Sequence, residues 1–294
     1  MLSTTITAVG GRALRRKADS MAERSAAVPI SEPVSLSRRG QIRLVGVNSW
    51  RLIALLAFLA AWHVASIPAG KLLLPSPLDV LPAFVELLRS GQLMAALGSS
   101  LVVFGGGYAL AILTAIPIGV LMGAIRPFGE TLDIYVNGLN STPRVAFIPL
   151  IILWFGLETQ AKIVIVWFTA VFPIIINTYA GVLNSDPELI EAARSFGARP
   201  GQIYRQIMLP CAVPYIIAGL RIGASLAIIG TVVAELYTAL SGLGHLLAEF
   251  GNTFQTAKYF VPVAVLVALG TLISQSLKTL ERRLARWKTS TIEI

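Results

Sequence analysis

The sequence NSDPELIEAARSFGARPGQIYRQIMLP, residues 184–210, is the longest polar interruption between two strongly apolar blocks in the C-terminal half of the chain. Pro187 suits the first turn of a helix, where its missing N–H costs nothing, and Ser185 or Asp186 can cap that end. Glu188 lies three residues after Ser185, which is the spacing of a capping box. The pattern predicts a helix that begins near Pro187.

Apolar residues then recur at helical spacing, which gives this helix one apolar face: Leu189, Ile190, Ala193 and Phe196. Gly197 is expected to end the helix, since glycine reaches left-handed dihedrals without a Cβ penalty. Pro200 starts a second helix, whose apolar side carries Ile203, Tyr204, Ile207 and Met208. Pro210 and Pro214 should break or kink the chain as it enters the next apolar block. We expect two short helices joined by a glycine turn at a membrane surface.

The composition is that of an integral membrane protein. The chain has 294 residues, of which 55% are hydrophobic and only 13% charged, and its mean hydropathy is +0.74. A soluble domain usually carries about 25% charged residues. The single cysteine, Cys211, excludes an internal disulfide and a cysteine-based metal cluster. No GxxxxGK[ST] phosphate loop occurs, so any ATP that drives this protein must bind another polypeptide.

Apolar blocks predict six membrane spans in a domain that covers residues 49–280. The spans are expected at about 50–67, 97–125, 144–156, 163–179, 213–236 and 260–277. Residues 1–48 are Arg- and Ser-rich and are expected to form a disordered cytoplasmic tail, because the first apolar block begins too late for a cleaved leader of roughly 15–30 residues. Residues 281–294 form a second basic tail, and a short amphipathic helix with Leu78, Leu81, Val85 and Leu88 on one face follows the first span.

The net charge of +9 is explained by membrane topology and requires no nucleic acid. If both termini are cytoplasmic, most of the lysines and arginines fall on the inner side. Only four are then placed outside, namely Lys71, Arg89, Lys162 and Lys258. The positive-inside rule therefore predicts a multi-pass membrane protein with both termini and residues 184–210 in the cytoplasm.

Small residues recur every fourth position in two of the spans. They are Gly107, Ala111, Ala115, Gly119 and Gly123 in the second span, and Gly219, Gly223 and Ala227 in the fifth. Such stripes let helices approach backbone to backbone in lipid. We expect both to be helix-packing surfaces.

Residues 184–210 also carry a recognisable motif. Glu191-Ala192-Ala193, then Gly197, then Ile207-Met208-Leu209-Pro210 resembles the EAA motif of ABC-importer permeases. From Trp50 onward the chain is similar to the nitrate/sulfonate/taurine branch of these binding-protein-dependent permeases. Further residues that support the resemblance are Leu74-Pro75-Ser76-Pro77, Ile148 to Gly156, Gly219-Leu220-Arg221, Val233-Ala234-Glu235, Gly242-Leu243-Gly244 and Arg286-Trp287.

The resemblance implies an all-α, type I ABC-importer (MetI-like) fold in a bacterial inner membrane, in which a second copy of the chain completes a homodimeric pore. Two cytoplasmic ABC ATPase subunits would hold ATP and magnesium, and a periplasmic or extracellular solute-binding protein would deliver a small anion such as a sulfonate, taurine or nitrate. The permease itself would bind no cofactor and catalyse no covalent reaction. The coupling residues implied by the motif are Glu191, Ala192, Ala193, Phe196, Gly197, Leu209 and Pro210.

Polar residues in or near the spans could line the solute pathway: Asn137, Ser141, Thr142, Asn177, Thr231 and Glu235. Interhelical hydrogen bonding or interfacial placement explains each of them better taken singly. The alternative to an ATP-driven importer is an ion-coupled secondary transporter, which would usually bury ionisable residues at mid-membrane and often contain an inverted repeat. Neither feature is evident. HExxH and GxSxG patterns are absent, which argues against a membrane enzyme.

Overall fold

A computed structural model describes residues 47–70 and 72–284, and within that part of the chain the secondary structure is helices and turns without strands. The helices are α1 Val47–Ala69, α2 Pro77–Arg89, α3 Gln92–Ala124, α4 Arg126–Ser141, α5 Ile148–Phe155, α6 Thr159–Leu183, α7 Pro187–Ser195, α8 Pro200–Ile203, α9 Leu209–Thr238, α10 Leu243–Asn252 and α11 Thr256–Leu284. The all-α prediction is confirmed. The tails predicted at 1–48 and 281–294 lie mostly outside the described residues.

The chain divides into two compact units, the first of which ends at Leu56 within α1. Of that first unit the structure describes only the beginning of α1. The contacts discussed below all lie in the second unit, from Ala57 onward.

Five stretches of the described chain are helical, long and apolar enough to cross a membrane: Ser49–Ala69, Gln92–Ala124, Thr159–Leu183, Pro200–Thr238 and Thr256–Glu281. They correspond to five of the six predicted spans, each extended by several residues. Polar residues at the ends of a span continue its helix, so an apolar window alone underestimates the length of the helix. The chain is therefore a multi-pass membrane protein.

The third predicted span, at about 144–156, corresponds to the second part of a bent pair of helices. In this pair, Arg126–Ser141 meets Arg144–Phe155 at 89°. Thr142 has extended dihedrals (φ −77°, ψ 140°) because it precedes Pro143, whose ring disfavours the helical region for the residue before it. The eight residues of α5 reach only about 12 Å. The described residues thus contain six spans only if the bent pair is counted as one.

Helix α6 is the centre of the fold. Half of the residues in the apolar segment of α6 are buried, against 22% in the corresponding segment of α3 and 39% in that of the α8–α9 stretch. Its buried residues Val166, Ala170 and Ile174 belong to one core cluster with Ala111 and Ala115 of α3 and Ala227 of α9. Helices α3 and α9 therefore pack on neighbouring faces of α6 and also contact each other.

The small residues of α3 lie directly against α6. A Cβ on Gly119 would approach the Thr178 Cβ to 2.7 Å and the Ile175 carbonyl oxygen to 2.8 Å. Gly107 and Gly123 are equally tight against Val166 and Val182. A hydrogen bond from Trp167 Nε1 to Thr114 Oγ1 at 2.9 Å adds to this packing, and one from Tyr108 Oη to the Leu220 carbonyl at 2.9 Å joins α3 to α9.

The α9 stripe meets a neighbouring face of α6. A Cβ on Gly219 would lie 2.8 Å from the Asn177 Cβ, and one on Gly223 would lie 2.7 Å from Ile174 Cγ1. Ala227 is completely buried in the same interface. Both stripes thus face the central helix, which the repeat alone does not specify.

A second, smaller core forms at the end of the helices far from residues 184–210. Four elements contribute to this core, namely α2, the start of α3, α10 and the start of α11. Its buried residues include Leu87, Leu93, Leu243, Phe250 and Val261. Helix α10 lies within a region that the sequence pattern marks only as polar and glycine-bearing.

The apolar face predicted for α2 is not the face that packs within the chain. Leu78 and Leu81 are 66% and 62% exposed, whereas Ala83 and Leu87 are buried. The helix has apolar residues on more than one side, so its periodicity does not select the face that packs. Lys258 of α11 fixes the chosen orientation through an ion pair with Glu86 at 2.8 Å.

The α3–α6 contact yields a matched test on one helix. Gly119→Ala places a methyl group against the Ile175 carbonyl and Thr178, whereas Gly105 of the same helix has no atom within 4 Å of the new Cβ. Overpacking of this kind costs about 1–3 kcal/mol. We expect Gly119→Ala to lower the thermal midpoint of the detergent-purified protein, while Gly105→Ala leaves it unchanged or raises it. Equal midpoints for the two variants would contradict close packing at Gly119.

Candidate functional site

The coupling stretch of residues 184–210 forms a helix, a glycine turn and a second helix. Helix α7 begins after Asp186, whose Oδ1 accepts a hydrogen bond from the Glu188 N–H at 2.9 Å. The capping box expected for Ser185 is wrong, since its Oγ donates to the Val182 carbonyl at 2.9 Å and is buried. Ser185 therefore closes the end of α6, and Asp186 opens α7.

Gly197 ends α7 with a φ of +76°. The Gly197 N–H donates to the Arg194 carbonyl at 2.9 Å, and the Ala198 N–H donates to the Ala193 carbonyl at 3.0 Å. This pair of bonds is a Schellman motif, whose left-handed position favours glycine because it has no Cβ. The turn reverses the chain and presents α7 and α8 side by side.

The second helix enters the membrane span without interruption. Pro210 and Pro214 were expected to break or kink the chain, but both lie in α9 as helical residues. The irregularity precedes them as a π-turn over Tyr204–Met208, closed by the Leu209 N–H donating to the Tyr204 carbonyl. Proline offers no N–H for the regular i−4 bond, and one wider turn accommodates that loss. Leu209 and Pro210 thus form a continuous helical connection between the coupling stretch and α9.

The apolar residues of α7 have little cover within this chain. Phe196 is 92% exposed and Leu189 is 51% exposed. Glu191, Ala192 and Gly197 are exposed, while Ala193 is half-buried. Among the described residues no ion pair involves Glu191. A groove of about 760 Å³ runs along the helix, lined by Leu183, Ser185, Pro187, Ile190, Glu191, Arg194 and Ser195.

The six residues expected to line a solute pathway fall into two groups. Asn137, Ser141 and Thr142 lie at the C-terminal end of α4, and their side chains bond within that helix at 2.8–3.0 Å. Arg144 also bonds there, since its Nη2 donates to the Asn140 carbonyl at 2.9 Å and to Asn140 Oδ1 at 2.6 Å. The guanidinium group thereby satisfies a carbonyl at the helix bend.

The second group lies in helix interfaces. Asn177 Nδ2 donates to the Pro173 carbonyl at 2.8 Å while its Cβ packs on Gly219. Thr231 donates to the Ala227 carbonyl at 2.8 Å and is 3% exposed. Glu235 is completely buried. Thr231 and Glu235 therefore have no access to solvent in this conformation.

Several polar contacts were not evident from the sequence pattern. Arg221 of α9 lies 3.4 Å from Glu281 of α11. Lys162, expected in an outer loop, is 2% exposed and belongs to the first turn of α6. Lys162 lies three and four residues before the buried Ile165 and Val166, which places all three on one face of α6. This spacing is the sequence feature that could have indicated its burial. His245 lies in α10 and not in a loop, and its Nε2 is 3.7 Å from Glu249.

Comparison with known proteins agrees with this geometry. Residues 115–286, more than half of the chain, match the family described as the binding-protein-dependent transport system inner membrane component. The aliphatic sulfonates transport permease protein SsuC of Escherichia coli (strain K12) is 36% identical over 83% of this chain and 93% of its own. The taurine transport system permease protein TauC of the same strain is 31% identical over 77% of this chain and 84% of its own.

A solved structure has a similar fold. The inward-facing MetNI methionine ABC transporter superposes with a TM-score of 0.59 at 23% identity, covering 66% of this chain and 96% of that one. At this identity the similarity concerns the fold alone. The relatives in sequence are transport permease subunits, which favours the importer over the ion-coupled secondary transporter. This chain is a member of the binding-protein-dependent transport system inner membrane component family of ABC permeases.

Proposed function

We propose that the chain is the pore-forming subunit of an ATP-driven importer for a small organic anion of the sulfonate class, coupled to a separate ATPase through residues 184–210. The observation that carries this proposal is the exposed coupling stretch of a family member. This stretch has exposed apolar side chains, a carboxylate unpaired among the described residues, and a groove on one short helix. It is the segment of the chain that joins the central helix α6 to α9.

The exposure of Phe196 supports a docked partner. Burial of a phenylalanine side chain contributes about 1.5–3 kcal/mol, and within this chain Phe196 remains 92% exposed. Ala192 and Ala193 let a partner surface approach closely because their side chains are small. Glu191 offers a carboxylate to a cation of the partner. An ATPase subunit that covers this surface would satisfy all of these groups together.

Motion of the docked ATPase would reach the spans through rigid connections. Helix α7 follows α6 after three residues, and α8 continues through the π-turn into α9. Because α6 and α9 pack tightly through Gly219 and Gly223, displacement of the coupling stretch moves them as a unit. Switching between two global arrangements by such rigid-body motion is an established form of coupling.

The remaining elements of the proposal follow from family membership. A second copy of the chain would complete the pore, two ATPase subunits would hold ATP and magnesium on the cytoplasmic side, and a binding protein would deliver the solute on the other side. Both termini would be cytoplasmic, as the distribution of lysine and arginine indicates. The chain would bind no cofactor and would itself catalyse no reaction.

The solute assignment rests on the relatives SsuC and TauC, whose names refer to aliphatic sulfonates and taurine. Asn137, Ser141 and Thr142 are the pathway candidates that remain at or near the surface, beside the guanidinium of Arg144. The guanidinium of Arg144 would supply the positive charge that suits the single negative charge of a sulfonate. Asn137, Ser141 and Thr142 would donate to its oxygens by giving up their hydrogen bonds within α4.

The docking site can be tested by co-purification from the source cells. We expect tagged wild-type chain to retain an ABC ATPase in mild detergent, and Glu191→Arg with Ala193→Trp to lose at least nine-tenths of it, because charge and bulk then oppose the partner. Glu249→Arg makes the same charge change on α10, far from the coupling stretch, and should retain the ATPase. Equal recovery with all three proteins would contradict docking at α7.

The glycine turn allows a second test. Gly197→Pro cannot adopt the observed φ of +76°, since proline is fixed near −65°. We expect this variant to insert normally but to show no ATP-driven uptake. Gly201→Ala is the matched control, because its new Cβ meets no atom within 4 Å and it should transport at the wild-type rate. Uptake by Gly197→Pro at that rate would show that the turn is dispensable.

The solute class is tested by deleting the chain's gene from its source. We expect uptake of radiolabelled taurine or ethanesulfonate to fall at least tenfold, with nitrate uptake unchanged, and plasmid-borne wild-type chain to restore it. If nitrate uptake falls and sulfonate uptake does not, the sulfonate assignment is wrong while the importer assignment stands.

A further inference from the structure

Two buried charges lie at the end of the helices opposite to the coupling stretch. Lys162 is 2% exposed at the start of α6, and Glu235 is completely buried near the end of α9. The coupling stretch follows the other end of α6, and about 30 Å of helix lies between that end and Lys162. We call Ser99, Ser100, Lys162, Glu235 and Ser241 the distal polar cluster. Its members come from α3, α6, α9 and the turn Ala239–Gly242, which we call the distal turn.

Glu235 holds the start of α10. One carboxylate oxygen accepts a hydrogen bond from the Gly244 N–H at 2.8 Å, and Ser100 Oγ donates to the carboxylate at 2.8 and 2.9 Å. Ser100 Oγ in turn accepts from the Leu243 N–H at 2.8 Å. Gly242, the residue before α10, has no side chain to cap the helix. Glu235 and Ser100 therefore satisfy the N–H groups that a capping side chain would satisfy.

Lys162 holds the distal turn itself. Its Nζ donates to Ser241 Oγ at 3.0 Å and to the Ser241 carbonyl at 3.4 Å. Ser99 Oγ of α3 also donates to Ser241 Oγ, at 3.0 Å. Among the described residues no carboxylate forms an ion pair with Lys162. The two buried charges thus face the same short segment without pairing directly with each other.

The distal turn is tightly fitted and conformationally costly. Ala239 has a φ of 48°, in the left-handed region that residues with a Cβ disfavour. Gly242 has a φ of 101°, and a Cβ on it would overlap the Glu235 carboxylate. Such a geometry persists only where surrounding contacts impose it. Here the hydrogen bonds of Lys162 and Glu235 supply those contacts.

Displacement of the turn together with the start of α10 would leave Lys162 without its acceptors and Glu235 with Ser100 but without its backbone donor. Ser241 gives Lys162 the hydrogen-bond acceptors described above, and the segment that begins α10 gives Glu235 its backbone donor. A buried charge that loses its partner is strongly unfavourable unless water reaches it. The turn is therefore either seated on the cluster or displaced far enough to admit water. Two discrete arrangements are what a switching element requires.

We propose that the distal turn is a latch that closes the far end of the transport pathway and leaves the distal polar cluster whenever that end opens. This proposal rests on the proposed function, because an importer must open that end once in each cycle. Helices α6 and α9 carry Lys162 and Glu235 at one end and the coupling stretch at the other. Their displacement by the ATPase would move the two charges away from the segment that satisfies them.

A reversible cross-link tests the latch without knowledge of the solute. Cys211→Ala removes the single native thiol, and Ser99→Cys with Ser241→Cys replaces two hydroxyl groups that lie 3.0 Å apart. The full chain, co-purified with its ATPase and placed in proteoliposomes, is oxidised, and ATP hydrolysis is measured. Loss of reactivity with a polyethylene glycol maleimide in the denatured protein reports how much disulfide has formed.

We expect oxidation to reduce ATP hydrolysis at least tenfold and dithiothreitol to restore it, because the locked turn cannot leave the cluster. The two single-cysteine variants should hydrolyse ATP equally before and after oxidation. Unchanged hydrolysis in a fully cross-linked complex would overturn the latch, and so would failure of the two cysteines to cross-link. If no ATPase accompanies even the reduced wild-type chain, the importer assignment fails instead.

A second measurement does not depend on the disulfide. Ser241→Cys alone, in the Cys211→Ala background, is labelled with a membrane-impermeant methanethiosulfonate. We expect labelling at least tenfold faster when the complex is trapped with ATP and vanadate than without nucleotide, because the turn is then displaced and solvated. Equal labelling rates in the two states would contradict a moving latch.

Discussion

The structure depends on the close approach of three helix backbones in which α6 is the middle one. Within a bilayer, apolar side chains gain little when they exchange contact with lipid for contact with another helix. Helices there associate through close packing and hydrogen bonds. Gly107, Gly119 and Gly123 leave no side chain between α3 and α6, and Gly219 and Gly223 do the same between α9 and α6. Because α6 is held by both helices, the elements at its two ends are fixed relative to one another.

The two ends of α6 are opposite in physical character. At one end the coupling stretch leaves Phe196 uncovered, an arrangement that a partner protein would stabilise by burying apolar surface. At the other end Lys162 and Glu235 are withdrawn from solvent and depend on a few hydrogen bonds to a short turn. Because α6 and α9 connect the two ends rigidly, association at the first end would be coupled to release at the second.

The bend between α4 and α5 follows from the local sequence, and it prevents this part of the chain from forming one straight span. Thr142 is forced into an extended conformation by Pro143, and the freed end of α4 is then satisfied by Arg144. The arginine side chain thus does for the helix end what backbone hydrogen bonds do within a helix. The same bend leaves Asn137, Ser141 and Thr142 at or near the surface, where polar groups would be available to a solute.

The sequence by itself determined much of the coupling stretch and the existence of most spans. The start of α7 at Pro187, the glycine turn at Gly197 and the second helix from Pro200 follow from local dihedral preferences. The apolar blocks follow from the length and hydropathy that a bilayer requires. These features depend on neighbours in the chain, so a single sequence contains them, and the EAA motif identified the family.

Only the tertiary structure decided which partners the helices and buried charges have. The face of α2 that packs, the helix α10, and the pairing of Arg221 with Glu281 all depend on contacts between distant segments. Lys162 and Glu235 are separated by more than seventy residues and meet the same turn only because α6 and α9 pack side by side. Periodicity shows which side of a helix is apolar or small, but the helix that covers it is fixed by packing across the whole fold.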